Sequence, residues 1–172
     1  MDDVAEIQRS LSSLKHTIVI PYLDDQVSII NLPNSIYWEE LESFTNEIFF
    51  ESVPFQHPLW ILYSSGTTGL PKPIVQGHGG IILEHMKTLS LHMDLKEQDR
   101  FFWHTTTGWM MWNLLIGGLL IGATQILYDG SPDYPDLGTL WRLAEDTKIT
   151  YFGTSAAYIQ AYMKSGMSPM QN

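Results

Sequence analysis

Cysteine is absent from the 172 residues, which excludes disulfides, a thiolate nucleophile and cysteine-ligated zinc. That absence fits a reducing compartment, and a cytoplasmic location is the expectation. Basic residues are also few. Lys+Arg 9 against Asp+Glu 19 leaves a net charge of −10, which argues against a surface built to coat nucleic acid. Any phosphorylated ligand has to be gripped locally, by backbone N–H groups and one or two lysines. Charged residues make up only 16% of the chain, below the roughly 25% usual for soluble domains. A chain this poor in charge either packs well or packs against something else. The acidic, amphipathic stretch 1–10 has neither the cationic start nor the apolar centre of a secretion signal.

A long unbroken apolar run is lacking too. Residues 101–128 contain no Asp, Glu, Lys or Arg, but Thr105, Thr106, Thr107, Gly108, Asn113, Gly117, Gly118 and Gly122 interrupt them. A spanning helix needs about 20 predominantly apolar residues. The expectation is therefore a buried helix over 109–121 followed by a strand over 124–128, with no membrane span.

What is present alternates between helical and extended patterns. Asp2 or Asp3 can cap a first helix with Val4, Ile7, Leu11 and Leu14 on one face. Thr17–Ile20 reads as a strand, 22–34 as loop, and Ser35 as the cap of a short helix over Ile36–Leu41. Pro54 and Pro58 mark an extended connector, and Leu59–Tyr63 reads as a buried strand. Ile74 and Val75 suggest a second strand. After Gly79-Gly80 a helix runs to about Met93, with Ile82, Met86, Leu89 and Met93 as its inward stripe. Phe101–Trp103 is extended, Asp136 caps a helix to about Thr147, Ile149–Phe152 is a strand, and Ser155–Lys164 a helix. Alternating apolar strands and helices predict an α/β fold with a largely parallel sheet and flanking helices.

One motif carries chemistry. Residues 63–72 read Tyr63-Ser64-Ser65-Gly66-Thr67-Thr68-Gly69-Leu70-Pro71-Lys72. The pattern is not GxxxxGK[ST], since Lys72 lies three residues after Gly69 and no Ser or Thr follows it. The physical logic is similar. Gly66 and Gly69 permit positive φ, so successive N–H groups can turn inward around an anion. Ser64, Ser65, Thr67 and Thr68 add hydroxyl donors, and Lys72 adds a mobile positive charge. The plain alternative is a turn-rich hairpin tip.

This loop resembles the phosphate-binding motif of the adenylate-forming acyl-CoA ligase superfamily. Residues 53–80, Phe102-Trp103-His104-Thr105-Thr106-Thr107-Gly108-Trp109-Met110-Met111-Trp112-Asn113, and Phe152-Gly153-Thr154-Ser155-Ala156-Ala157-Tyr158 resemble its acetoacetate–CoA ligase branch more closely. Pro73 after Lys72, and Met110-Met111-Trp112-Asn113 after Trp109, depart from the acetyl-CoA branch. The resemblance implies a two-step reaction with ATP, Mg²⁺, acetoacetate and CoA as small-molecule ligands. It assigns Ser64, Ser65, Gly66, Thr67, Thr68, Gly69 and Lys72 to the phosphates, and Trp109, Met110 and Met111 to the border of the acyl pocket. For the last three, ordinary helix packing is the alternative. The family's acidic Mg²⁺ motif, its ribose-binding Gly-Asp motif and its C-terminal lid domain with the catalytic lysine have no counterpart in 1–172. The expectation is thus a partial N-terminal AMP-binding domain that supplies the phosphate loop and part of the acyl pocket, with no complete catalytic set and no metal site. A non-catalytic nucleotide-binding or interaction module is the alternative from another class.

Other constellations are weaker. His78, His85 and His92 recur every seven residues, which is about 10.5 Å of α-helical rise and too far to share a metal; they read as polar flank. His104, beside three threonines near the proposed pocket, is a further functional candidate. Asp129, Asp133 and Asp136 lack an EF-hand spacing.

Overall fold

The computed structural model describes residues 2–42, 47–65 and 69–169, which divide into two compact units, 1–52 and 53–172. In the first, helix α1 (Asp2–Ser10) precedes strand β1 (Thr17–Val19), which pairs in parallel with β2 (Ser35–Tyr37). Gln8 ties helix to strands: its amide donates to Thr17 Oγ1 at 2.8 Å and to the Pro33 carbonyl at 3.0 Å. The helix stops at Ser10, so Leu11 and Leu14 fall outside the expected stripe, and Ile7 is half exposed. Ser35 does not cap a helix. β-Formers Ile36 and Tyr37 extend along β1 instead, and helix α2 (Trp38–Glu42) starts only afterwards. The Glu40 carboxylate accepts from the Tyr37 N–H at 2.9 Å, which satisfies one donor at that helix start.

The second unit opens with an antiparallel hairpin, β3 (Pro58–Ser64) and β4 (Lys72–Gly77). It continues into a three-stranded parallel sheet of order β6 (Thr124–Ile126), β5 (Arg100–Trp103), β7 (Tyr151–Gly153). Neighbouring side chains on β5 point to opposite faces. Phe101 packs with Leu89, Leu95, Leu115 and Ala123; Phe102 packs with Ile126, Leu140 and Tyr158. Both faces of the sheet are therefore covered by helices. On the Phe101 side lie the segment after α3 (His78–Met86) and helix α4 (Met110–Gly117); on the Phe102 side lie α5 (Thr139–Thr147) and α6 (Ala156–Ser165).

Several expected boundaries move for physical reasons. Helix α3 begins at His78, before the glycine pair, and passes at Lys87–His92 into a π-helical segment. The inward face is already set before that segment, within α3 itself. Ile82 and Met86 are solvent-exposed, whereas His85 and Leu89 are buried, so His85 belongs to the core and not to a polar flank. The helix expected over 109–121 is α-helical only to Gly117 and tightens to a 3₁₀ turn over Gly118–Ile121. Gly122 closes it at φ 81°, a left-handed conformation that suits glycine. A Cβ on Gly117 would overlap the His85 ring, and one on Gly118 would overlap Gln125 and Phe101. Leu119 and Leu120 remain exposed, so this run is not fully buried. Among the described residues no helix is long and apolar enough to cross a membrane.

Asp136 is not the cap residue of α5; Gly138 is. Asp136 instead accepts the Gly138 N–H at 2.7 Å and pairs with Arg142 at 3.0 Å. The backbone N–H first, and Arg142 second, hold its carboxyl below the ordinary range. β7 starts at Tyr151, later than expected. Lys148 at φ 54° and the Ile149 N–H, donated to the Ala144 carbonyl at 2.9 Å, are taken up in ending α5.

Candidate functional site

The loop at 64–72 is set by the hairpin that carries it. Leu59–Tyr63 is apolar without interruption, which predicts burial on both faces. The strand is half-buried on one face only: Trp60 and Leu62 are partly covered, while Ile61 and Tyr63 are exposed. The indole N–H of Trp60 donates to the side-chain amide oxygen of Gln76 at 2.5 Å, a cross-strand bond that fixes register. At the base, the His78 N–H donates to the His57 carbonyl at 3.0 Å and the Gly79 N–H to Phe55 at 2.9 Å. That register makes Ser64 and Lys72 the last directly paired residues before the loop.

Lys72 is therefore the first residue of β4 and not a loop residue, and a strand partner anchors its backbone. Its side chain is exposed, as are Ser64 and Ser65, and it forms no ion pair among the described residues. Gly69 has φ 118°, in the region only glycine adopts without strain. Gly66, Thr67 and Thr68 lie outside the described residues. The described part brings two hydroxyls and an ammonium to one hairpin mouth, a donor set that fits anionic oxygen.

A second feature lies at the carboxyl ends of β5 and β6, the edge at which open α/β sheets bind ligands. A cavity of about 690 Å³ is lined by Trp103, His104 and Thr105–Thr107 after β5, by Trp112 and Leu115 of α4, and by residues 127–130 and Pro132 after β6. Its lining does not include Trp109, Met110 or Met111. Trp109 is the extended residue that precedes α4, and Met110 is 50% exposed at the first helical position. Met111 is half-buried. The helix presents Trp112 and Leu115, three residues apart, to the cavity instead.

His104 stands in this wall, held by its own N–H donated to the Gly153 carbonyl of β7 at 2.8 Å. Its ring centroid is 6.4 Å from that of Tyr128. The sequence marked His104 and its threonines but not Trp112 or the 127–132 loop. Both loops could be read from sequence; that β6 lies beside β5, so that their carboxyl ends meet, could not. Among the described residues no group of three or more His, Cys, Asp or Glu side chains gathers as a metal site.

Comparison with known proteins shows the family to which the chain belongs. The family model described as AMP-binding enzyme matches residues 3–172. Acetoacetyl-CoA synthetase of Danio rerio is 39% identical over 177 residues, covering 98% of this chain and 26% of that protein. Acetoacetyl-coenzyme A synthetase of Rhizobium meliloti (strain 1021) is 44% identical over 158 residues, covering 89% and 24%. The solved acetoacetyl-CoA synthetase from Streptomyces lividans superposes with a TM-score of 0.90 at 53% identity, covering 99% of this chain and 26% of that one. The chain thus spans about a quarter of the length of the relatives it matches.

Proposed function

The chain belongs to the AMP-binding enzyme family, and from that premise we propose that it is part of the N-terminal domain of an ATP-dependent acid–thiol ligase that joins acetoacetate to CoA in the cytoplasm. In the first half-reaction a carboxylate oxygen attacks the α-phosphorus of ATP, forming acyl-adenylate and releasing pyrophosphate. In the second, the CoA thiol attacks the acyl carbon and AMP leaves.

Attacking carboxylate and triphosphate repel each other, so donors must hold them in line. Ser64, Ser65, Gly66, Thr67, Thr68 and Gly69 grip the phosphates in this reading, and Lys72 neutralises the departing pyrophosphate. Mg²⁺, when bound with ATP, shares the phosphate charge. In this reading its carboxylate ligands, and the lid that completes catalysis, come from the rest of the ligase. Trp109, Met110 and Met111 border the acyl group on the residue-by-residue resemblance, from the first turn of α4 and the residue before it.

The observation that carries the reading is the register of the hairpin, which pairs Ser64 with Lys72 and leaves both side chains exposed at the loop mouth. Acetoacetate-dependent ATP–pyrophosphate exchange in the full-length enzyme tests it. Lys72→Ala is expected to lower the exchange rate roughly 10²-fold while the acetoacetate KM stays near its starting value. An unchanged exchange rate removes Lys72 from this role.

A further inference from the structure

We propose that His104 reads the C3 carbonyl oxygen of the acid and so separates a 3-oxoacid from a plain fatty acid of the same length. The assignment rests on the acetoacetate reading above. A ketone oxygen can only accept hydrogen bonds, and a methylene at the same carbon can do neither. The wall that discriminates between them must therefore offer a free donor.

Two hydroxyl donors around the cavity are already committed. The Tyr128 hydroxyl donates to the Ser131 carbonyl at 3.0 Å, and the Thr105 hydroxyl to the Thr106 carbonyl at 3.0 Å. The Trp103 indole N–H is buried, with no partner among the described residues. Asp129, in the same lining, is an acceptor when ionised. Thr106 and Thr107 are exposed to solvent, where water competes for their hydroxyls, and Trp103 and Trp112 pack against the Phe101 core; His104 is placed otherwise. It is half-buried in the cavity wall, its backbone is pinned to β7, and neither ring nitrogen has a hydrogen-bond partner among the described residues. A neutral imidazole keeps one N–H donor to offer.

At about 690 Å³ the cavity is far larger than a four-carbon acid, so fit alone does not tell acetoacetate from butyrate. A hydrogen bond to the carbonyl does. Its loss leaves a partly desolvated oxygen without a partner, whereas butyrate loses nothing.

The test is ATP–pyrophosphate exchange by the full-length enzyme with acetoacetate and with butyrate, in wild type, His104→Ala and His104→Asn. His104→Ala is expected to lower kcat/KM for acetoacetate roughly tenfold to a hundredfold and to change that for butyrate less than about threefold. His104→Asn, which keeps an N–H donor, should restore part of the preference. Retained preference in His104→Ala, or equal losses on both acids in both variants, overturns the assignment. Wild-type enzyme that fails to activate acetoacetate defeats the ligase reading itself, and that result is visible before any variant is made.

Discussion

His85 illustrates how far a single residue's surroundings can depart from its sequence pattern. Spaced seven from His78 and His92, it looks like surface, yet it packs against Gly117 and lies 5.8 Å from the Trp60 ring, ring centre to ring centre. Burial lowers its pKa from 6.5, and the neighbouring Glu84 charge opposes that shift only in second place. As pH falls through 6.5 the unfolded chain takes up a proton that the folded chain refuses, so stability drops until the lower folded value is reached. The melting temperature should decline from pH 7 towards pH 5.5, and His85→Gln should flatten that decline. Parallel pH profiles for the two proteins would show that His85 is not the group responsible. The signal missing from the sequence was the partner: only the fold sets Gly117, with no side chain, where an imidazole fits.

Among the elements, one expected cap, Ser155, is a cap, while Ser35 and Asp136 are not. Ser155 was readable as a helix start, and its hydroxyl does accept the Tyr158 N–H at 3.2 Å. That helix carries Tyr158 into the core, where its hydroxyl donates to the Leu137 carbonyl at 2.6 Å and burial pushes its pKa up to about 12. Ser155→Ala should therefore cost about 1 kcal/mol, read as a lower denaturant midpoint at unchanged slope. No shift would mean that the 3.2 Å bond contributes nothing in solution. The parallel core was legible because Phe101 and Phe102 are adjacent large apolar residues, a pattern that needs cover on both faces. Less legible were β2, where Ser35 has the chemistry of a cap but β1 supplies a better partner for Ile36 and Tyr37, and the α3 stripe, whose inward face runs through His85 and Leu89 at i and i+4 and not through Ile82 and Met86.

At the scale of the whole molecule, the hairpin that presents the phosphate loop also poses its largest physical problem. The register pairs Ile61 with Val75 and Tyr63 with Pro73 on one face, and Leu59 sits in the irregularity between Pro58 and Trp60. Leu59 is 38% exposed, Ile61 52%, Val75 57% and Tyr63 70%. The same apolar run that made a strand readable thus implied two-sided burial, which is not seen among the described residues. Contiguous apolar faces of this kind are rare on isolated soluble proteins and drive association. A polypeptide of these 172 residues is therefore expected to self-associate at micromolar concentration and to bind a hydrophobic dye. Ile61→Lys with Val75→Lys, which leave Ser64, Gly69 and Lys72 in place, should lower both signals, because each charge lands in the centre of the exposed face and not in the core. Light scattering and dye fluorescence across a dilution series measure this directly. A monodisperse, dye-silent monomer would mean that the hairpin face finds cover within the chain itself.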